Sequence, residues 1–353
     1  MNFTFQFPAV KGLQAGREYY ITMVPLKLLS RLFPAEECVL PEYRAQRRIN
    51  EQRIPEIKQY ILENRENYVF SALSASIDGD FQFKPFNNAD VGVLEIDMNA
   101  VFLINDGQHR KAAIEAAMRE DESLGEETIS IVFFKDEGLE RSQQMFTDLN
   151  KHAVKTSNSL ATLYDARDEI AVATKKVIDE VPFFRRYTDK ERDILGKNSS
   201  KLFTLNMIYK ANKKILHGDH CNANDKQFLV NYWTTVAENI VEWQEVYNKT
   251  LTKKALRENY IISLAITVTA FGKLGRYFYD HEEVDYKANL KELQHIDWLR
   301  SNPAWIGRTI RENGKVLNNE EAVSLTCAWI KQQMGLPLSK EELQREKQLK
   351  EKM

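Results

Sequence analysis

Over the first 135 or so residues, short runs of β-like pattern are punctuated by turn signals. Tyr68–Ile77 (YVFSALSASI) runs into Asp78-Gly79-Asp80, and Phe81–Phe86 (FQFKPF) follows; Asp-Gly between two such runs predicts a hairpin. Val91–Met98 alternates apolar with polar side chains, as a half-buried strand does. Val101–Ile104 and Ile129–Phe134 read as short buried strands. Between the strands, Ile54, Ile57 and Ile61 share a helical face, with Pro55 in a first turn that tolerates it. Lys111–Arg119 (KAAIEAAMR) is built of strong helix formers.

From about Glu140 onward the period becomes helical, as in Asp225–Lys249, Tyr260–Tyr279 and Glu320–Gln333. The charged end, Ser339–Met353, reads as a solvated helix with a frayed terminus. No internal repeat is visible. The expected fold class is α+β: a mixed α/β domain over 1–158, then a mainly α-helical domain over 159–353 that serves DNA binding, oligomerisation or both.

A chain of 353 residues with 43% hydrophobic and 28% charged positions can bury about two cores, which excludes wholesale disorder. Its formal charge of -2 supplies no global field toward nucleic acid or membrane, so any polyanion must be met by a local patch. The three cysteines, Cys38, Cys221 and Cys327, are scattered and odd in number, which fits a reducing compartment. Tyr260–Phe271 is about half a membrane span and is interrupted by Ser and Thr. The expectation is a cytoplasmic protein with no membrane partner.

The densest chemistry lies in Val101–Ala113, VFLINDGQHRKAA. A buried strand turns sharply at Asn105-Asp106-Gly107 and a helix opens near Gln108. Such a turn aims backbone N–H groups and the positive end of the helix dipole outward, a ready anion site, and Gly107 permits close approach. His109, Arg110 and Lys111 then stand in the first turn, where the dipole disfavours cations. Two readings follow: a bound phosphate offsets that cost, or the basic groups are solvated with Asp106 as a cap.

A second segment, Phe183–Leu216, holds nine basic residues (Arg185, Arg186, Lys190, Arg192, Lys197, Lys201, Lys210, Lys213, Lys214) against three acids. Ser199 and Ser200 are candidate caps for a helix on which Leu205, Ile208 and Ile215 face inward and the last three lysines face outward. With Tyr187 and Tyr209 nearby, this stripe suits a DNA backbone; an ordinary solvated face is the alternative. No helix-turn-helix signature shows which element would enter a groove. His217, His220 and Cys221 (HGDHC) lack the second pair a zinc site needs, so the expectation is a polar loop and no metal. Neither G-x-S-x-G nor a G-x-x-x-x-G-K-[ST] loop occurs, and no catalytic residue is assigned.

NDGQHR before a small-residue helix resembles the signature of the DGQHR-domain family, within it the DndB-type regulators of DNA phosphorothioation (sulfur modification), and more distantly ParB/sulfiredoxin-like domains. Arg44–Arg65 (RAQRRINEQRIPEIKQYILENR) and Gln143–Leu160 (QQMFTDLNKHAVKTSNSL) are similar to flanking family segments. The resemblance implies a phosphate or nucleotide pocket of Asp106, Gly107, Gln108, His109 and Arg110, closed by Asn150 and Asp148, with Arg47, Arg48 and Arg53 reaching the anion. Asp106 either orients the turn or holds magnesium. His109 stands where the ParB pattern has an arginine, so cytidine specificity does not carry over.

Three functions are thereby expected, in order. The first is a DNA-binding transcriptional regulator, a repressor of the phosphorothioation genes. It binds double-stranded promoter or operator DNA as a homodimer, through Arg185, Arg186, Lys190, Lys197, Lys201, Lys210, Lys213 and Lys214. The second is a nucleotide hydrolase using ATP or another nucleotide with magnesium, in which His109 and Arg110 stabilise the transferring phosphate. The third is a scaffold for other sulfur-modification proteins.

Overall fold

A computed structural model of the chain describes residues 3–34, 51–87, 89–151, 156–197 and 199–352. The chain folds as two compact units, Met1–Val154 and Lys155–Met353.

Seven strands make the sheet of the first unit: β1 Thr4–Gln14, β2 Arg17–Pro25, β3 Leu73–Asp78, β4 Phe81–Pro85, β5 Val91–Asp97, β6 Val101–Asp106 and β7 Thr128–Lys135. They lie in the order β4-β5-β1-β2-β7-β3-β6. All neighbours are antiparallel except β3 and β7. The sequence pattern missed β1 and β2, although the alternation in Tyr20–Val24 and the tight turn at Ala15-Gly16, both at positive φ (49° and 75°), mark a two-residue hairpin.

The hairpin expected at Asp78-Gly79-Asp80 does not form. β3 pairs with β6 and β7, whereas β4 pairs only with β5. The two pairs are successive halves of one bent ribbon, cornered at Gly79 on one strand and Met98–Ala100 on the other. Gly79 has φ +139, and a Cβ there would stand 2.8 Å from that of Ala100. Five strand spacings between β4 and β3 would span roughly 24 Å if the sheet were flat. The link from Asp78 to Phe81 reaches about 11 Å at most. The sheet must therefore curl.

The concave face carries Phe7, Ala9, Tyr20, Val24, Leu73, Ala75, Ile77, Leu94, Ile96, Phe102, Ile104, Ile129, Ile131 and Phe133, all in one buried cluster. Against it pack residues of α1 (Leu29–Leu32), α2 (Ile54–Glu63) and α3 (Gln108–Met118). On α2 the isoleucine stripe behaves as the pattern predicts, with Ile61 buried and Ile54 and Ile57 half-buried. α4 (Leu139–Lys151) lies against β6 on the other face.

The second unit is mainly helical: α5 Asn158–Tyr164, α6 Glu169–Glu180, α7 Pro182–Tyr187, α8 Leu205–Ile215, α9 Ala223–Asn239, α10 Val241–Tyr247, α11 Lys253–Asn259, α12 Ala265–Asp280, α13 Tyr286–Asn289, α14 Glu320–Gln333 and α15 Lys340–Lys352. A short parallel pair, β8 (Thr188–Asp189) and β9 (Phe203–Thr204), leads into α8. The class is α+β. At its centre the Phe183 and Trp243 rings stack 4.9 Å apart, and buried Asn212 joins three helices by donating to Thr174 Oγ1 and accepting from Trp233 Nε1.

Two expected helices differ in extent. The run Asp225–Lys249 is broken at Ile240, whose φ and ψ of -96 and 106 are extended. Tyr260–Leu264 precedes the helix, because Tyr260 bridges to Leu299 and the amide of Ile261 donates to the Trp298 carbonyl. The terminal α15 is largely exposed, as its sequence predicts, but it is docked through one stripe, where Glu346 and Leu349 are buried. Glu346 is 3% exposed and takes both oxygens to Arg308, itself 7% exposed, at 3.1 and 2.5 Å.

Candidate functional site

The NDGQHR segment forms a strand, a left-handed residue and a helix, as its sequence predicts. β3 and β6 pair in register until Ala75↔Ile104 and then Ser74↔Asp106, so Asn105 is the extra residue of a bulge. A bulge re-aims side chains next to the turn it precedes. Asn105 is fully buried, with Nδ2 donating to Ser76 Oγ at 2.7 Å and lying 3.2 Å from Met145 Sδ of α4. Its Oδ1 has no hydrogen-bond partner among the described residues. Gly107 caps α3 at φ 104, ψ 16, a region that L side chains rarely enter. A Cβ there would collide with Leu73 Cδ2 in the core.

The basic first turn is neutralised from within. Arg110 donates through Nη2 to Asp106 Oδ2 at 2.7 Å. Its Nη1 donates to the Ser71 carbonyl (2.6 Å), the Ala72 carbonyl (2.9 Å) and the Ser71 hydroxyl. Lys111 pairs with Glu115 at 2.9 Å. Both pairs sit at a spacing of four, where helical side chains meet. Arg110 is thus a latch that fastens the chain leading into β3 onto the turn. The cost of cations at the helix start is offset in part by the protein's own carboxylates.

Around this core the other expected pocket residues are distributed unevenly. Gln108 is buried, with Nε2 3.4 Å from the Ile104 carbonyl, and His109 is half-buried in the first turn of α3. Arg53 is exposed at the start of α2. Asp148, on α4, accepts from Gln144 at 2.6 Å. Asn150 lies on α4, but its side chain, like Arg47, Arg48 and His152, is outside the described residues.

The basic segment divides by its partners. Lys190, Lys213 and Lys214 pair with Asp179, Asp219 and Glu320 at 2.8, 3.0 and 3.1 Å, so three of the nine cations are compensated by acids from outside the segment. Arg186 lies over the Tyr187 and Tyr247 rings, 5.4 and 5.3 Å from their centroids, and Lys201 donates to its carbonyl at 2.8 Å. Arg185, Arg192, Lys197 and Lys210 are exposed and make no ion pair with the described residues. The helix cap differs from expectation: Thr204 accepts from the Met207 amide, while Ser199 accepts from Lys201 in the loop before it. On α8 the inward residues are Leu205, Ile208 and Ile215, as the periodicity implied.

Polar contacts also account for HGDHC. His217 meets Asp280 at 2.7 Å and Arg276 at 2.6 Å, while the Cys221 amide donates to Glu169 at 2.6 Å. Burial pushes the Cys221 thiol up to about 11 and Cys327 up to about 12, the opposite of what a nucleophile needs. Among the described residues no three His, Cys, Asp or Glu side chains are grouped as metal ligands are. Nor is any described helix long and apolar enough to cross a membrane.

Residues 7–337 match the model of the DndB family, described as DNA-sulfur modification-associated. The match covers nearly the whole chain, and the protein belongs to that family. It is therefore a component associated with DNA sulfur modification. Comparison with curated proteins and with solved structures gave no match.

Proposed function

We propose that the protein is a DNA-binding transcriptional regulator, a repressor of a DNA sulfur-modification gene cluster, with its DNA-contacting surface on the helical unit. Family membership supplies the system. The observation that carries DNA binding is the exposed group Arg185, Arg192, Lys197 and Lys210, which makes no ion pair with the described residues, within a segment whose basic surplus stands in a chain of net charge -2. Unpaired surface cations attract phosphates, and each contact releases a counterion. The aromatic clamp on Arg186 holds its guanidinium in place, which lowers the entropy cost of a contact. Regulators commonly read two-fold operators as dimers, so the proposed state is a homodimer on double-stranded DNA. The ParB-like reading of the first unit, with a phosphate-bearing ligand at the NDGQHR turn, belongs to the same proposal and rests on that segment alone.

The hydrolase reading requires Arg110 to face a transferring phosphate, whereas its terminal nitrogens are engaged by Asp106, Ser71 and Ala72. That engagement favours the regulator. Titration of the cluster's promoter DNA and of scrambled DNA of equal length, with and without ATP and magnesium, separates the two. The expected result is promoter binding on the order of 10³-fold tighter than to scrambled DNA, with no ATP turnover. Hydrolysis abolished by Arg110→Ala, with no preference between the DNAs, would contradict it.

A second expectation concerns the paired lysines. Lys213→Ala with Lys214→Ala removes two cations that are already engaged by Asp219 and Glu320, and Glu320 keeps Lys273 at 2.8 Å. Its effect on DNA affinity at fixed salt should be smaller than that of changing Arg185 and Lys210. The same titration compares them.

A further inference from the structure

We infer that a second basic segment, residues 248–257, extends the DNA-contacting surface of the helical unit and grips the phosphate backbone of the duplex without reading its sequence. The segment, NKTLTKKALR, holds Lys249, Lys253, Lys254 and Arg257 and no acid. It runs from the end of α10 into α11, and the fold sets it beside the first basic segment. Arg257 donates through Nη1 to the Gly196 and Lys197 carbonyls at 3.0 and 3.3 Å and through Nη2 to the Leu195 carbonyl at 3.4 Å. α11 is thereby fastened to the loop that carries Lys197. At the other end the Tyr187 hydroxyl donates to the Val246 carbonyl at 3.1 Å, and Arg186 lies across the rings of Tyr187 and Tyr247. Lys253 Nζ stands 5.9 Å from the centroid of the Tyr187 ring. Two stretches far apart in the chain therefore make one basic surface.

Two observations set this surface apart. On α8, Lys213 and Lys214 are engaged by acids, whereas Lys249, Lys253 and Lys254 make no ion pair with the described residues, and the exposed Glu258 beside them engages none of the three. Lys249 also holds φ 66 just after α10, a left-handed position where glycine is the usual residue and a side chain is strained. A cation kept in such a conformation points to a use for its charge. The ligand follows from the chemistry. Lysine ammonium groups meet phosphate as point charges. The neighbouring tyrosine rings are covered by the chain's own cations, so they offer no platform on which an unpaired base could stack. The fit is to the phosphates of a duplex, contacts that fix register and orientation but carry no sequence information. The inference rests on the DNA-binding reading above and gives it a second row of contacts.

The test is the salt dependence of binding to promoter DNA and to scrambled DNA of equal length, for the full-length wild type and for Lys249→Gly, Lys253→Ala and Lys254→Ala together. Glycine suits the backbone at position 249, so the loss of that charge comes with no loss of fold. With about 0.9 in slope for each phosphate contact, the variant's slope should be shallower by about 2.7 on both DNAs, with the preference for promoter unchanged. Slopes equal to wild type on both DNAs would overturn the inference, as they would if the surface served an acidic protein instead. A loss confined to promoter DNA would overturn it too, because the lysines would then read sequence. Should the triple variant unfold, Lys249→Gly alone decides, with a slope shallower by about 0.9. An unchanged slope here beside a shallower one in the combined Arg185→Ala, Lys197→Ala and Lys210→Ala variant sinks this inference alone. Wild type that binds neither DNA sinks the DNA-binding reading and this inference with it.

Discussion

Glu346→Ala should lower the stability of the helical unit by about 3 kcal/mol, because removing one partner of a buried pair strands the other charge. Arg308 and Glu346 are 7% and 3% exposed, and the guanidinium meets the carboxylate in a two-pronged bond while Nη1 donates to the Ala304 carbonyl at 2.9 Å. Nearby, Lys331, 4% exposed, holds Glu342 at 2.8 Å, so two carboxylates of α15 are fixed to buried cations. A buried pair can be replaced by apolar groups of similar size at little cost. The double variant Arg308→Met, Glu346→Leu should therefore recover most of the loss. All five tryptophans lie in this unit, so their fluorescence in a urea titration follows it. A midpoint unchanged by Glu346→Ala would show that the pair does not hold α15.

Gly107→Val should cost about as much, in the other unit. A side chain at φ 104 meets a backbone penalty of about 1–2 kcal/mol, increased for a β-branched residue. Overfilling the space against Leu73 adds about 1–3 kcal/mol. The overlap falls on a core side chain with no exposed surface, so Leu73 cannot swing into solvent. Displacing the turn also withdraws Asp106 from Arg110 and loosens the latch on Ser71 and Ala72. Far-ultraviolet circular dichroism should show an early transition at lower urea while the tryptophan transition stays put. If both transitions match wild type, the left-handed turn is not what holds this corner.

Periodicity exposed β5, β6, β7, α2, α3 and α14 because each carries its own local signal. Pairing is a different matter. Asp78-Gly79 announces a bend but not which strands it joins, and only the curl of the sheet sends β3 and β4 to different neighbours. The neutralised first turn was readable in principle: Asp106 precedes Arg110 by four residues and Lys111 precedes Glu115 by four, the spacing at which helical charges meet. The compensation of the Lys-rich stripe was not readable. Glu320 lies 106 residues from Lys214, and no sequence spacing brings them together.

The basic surface is the centre of the account, and the salt dependence of DNA binding tests it most directly. The logarithm of the binding constant falls linearly with the logarithm of salt concentration, by about 0.9 for each phosphate neutralised. Arg185→Ala, Lys197→Ala and Lys210→Ala together, in protein that folds and assembles as wild type does, should make that slope shallower by about 2.7 on promoter DNA. An identical slope in wild type and triple variant would contradict the account.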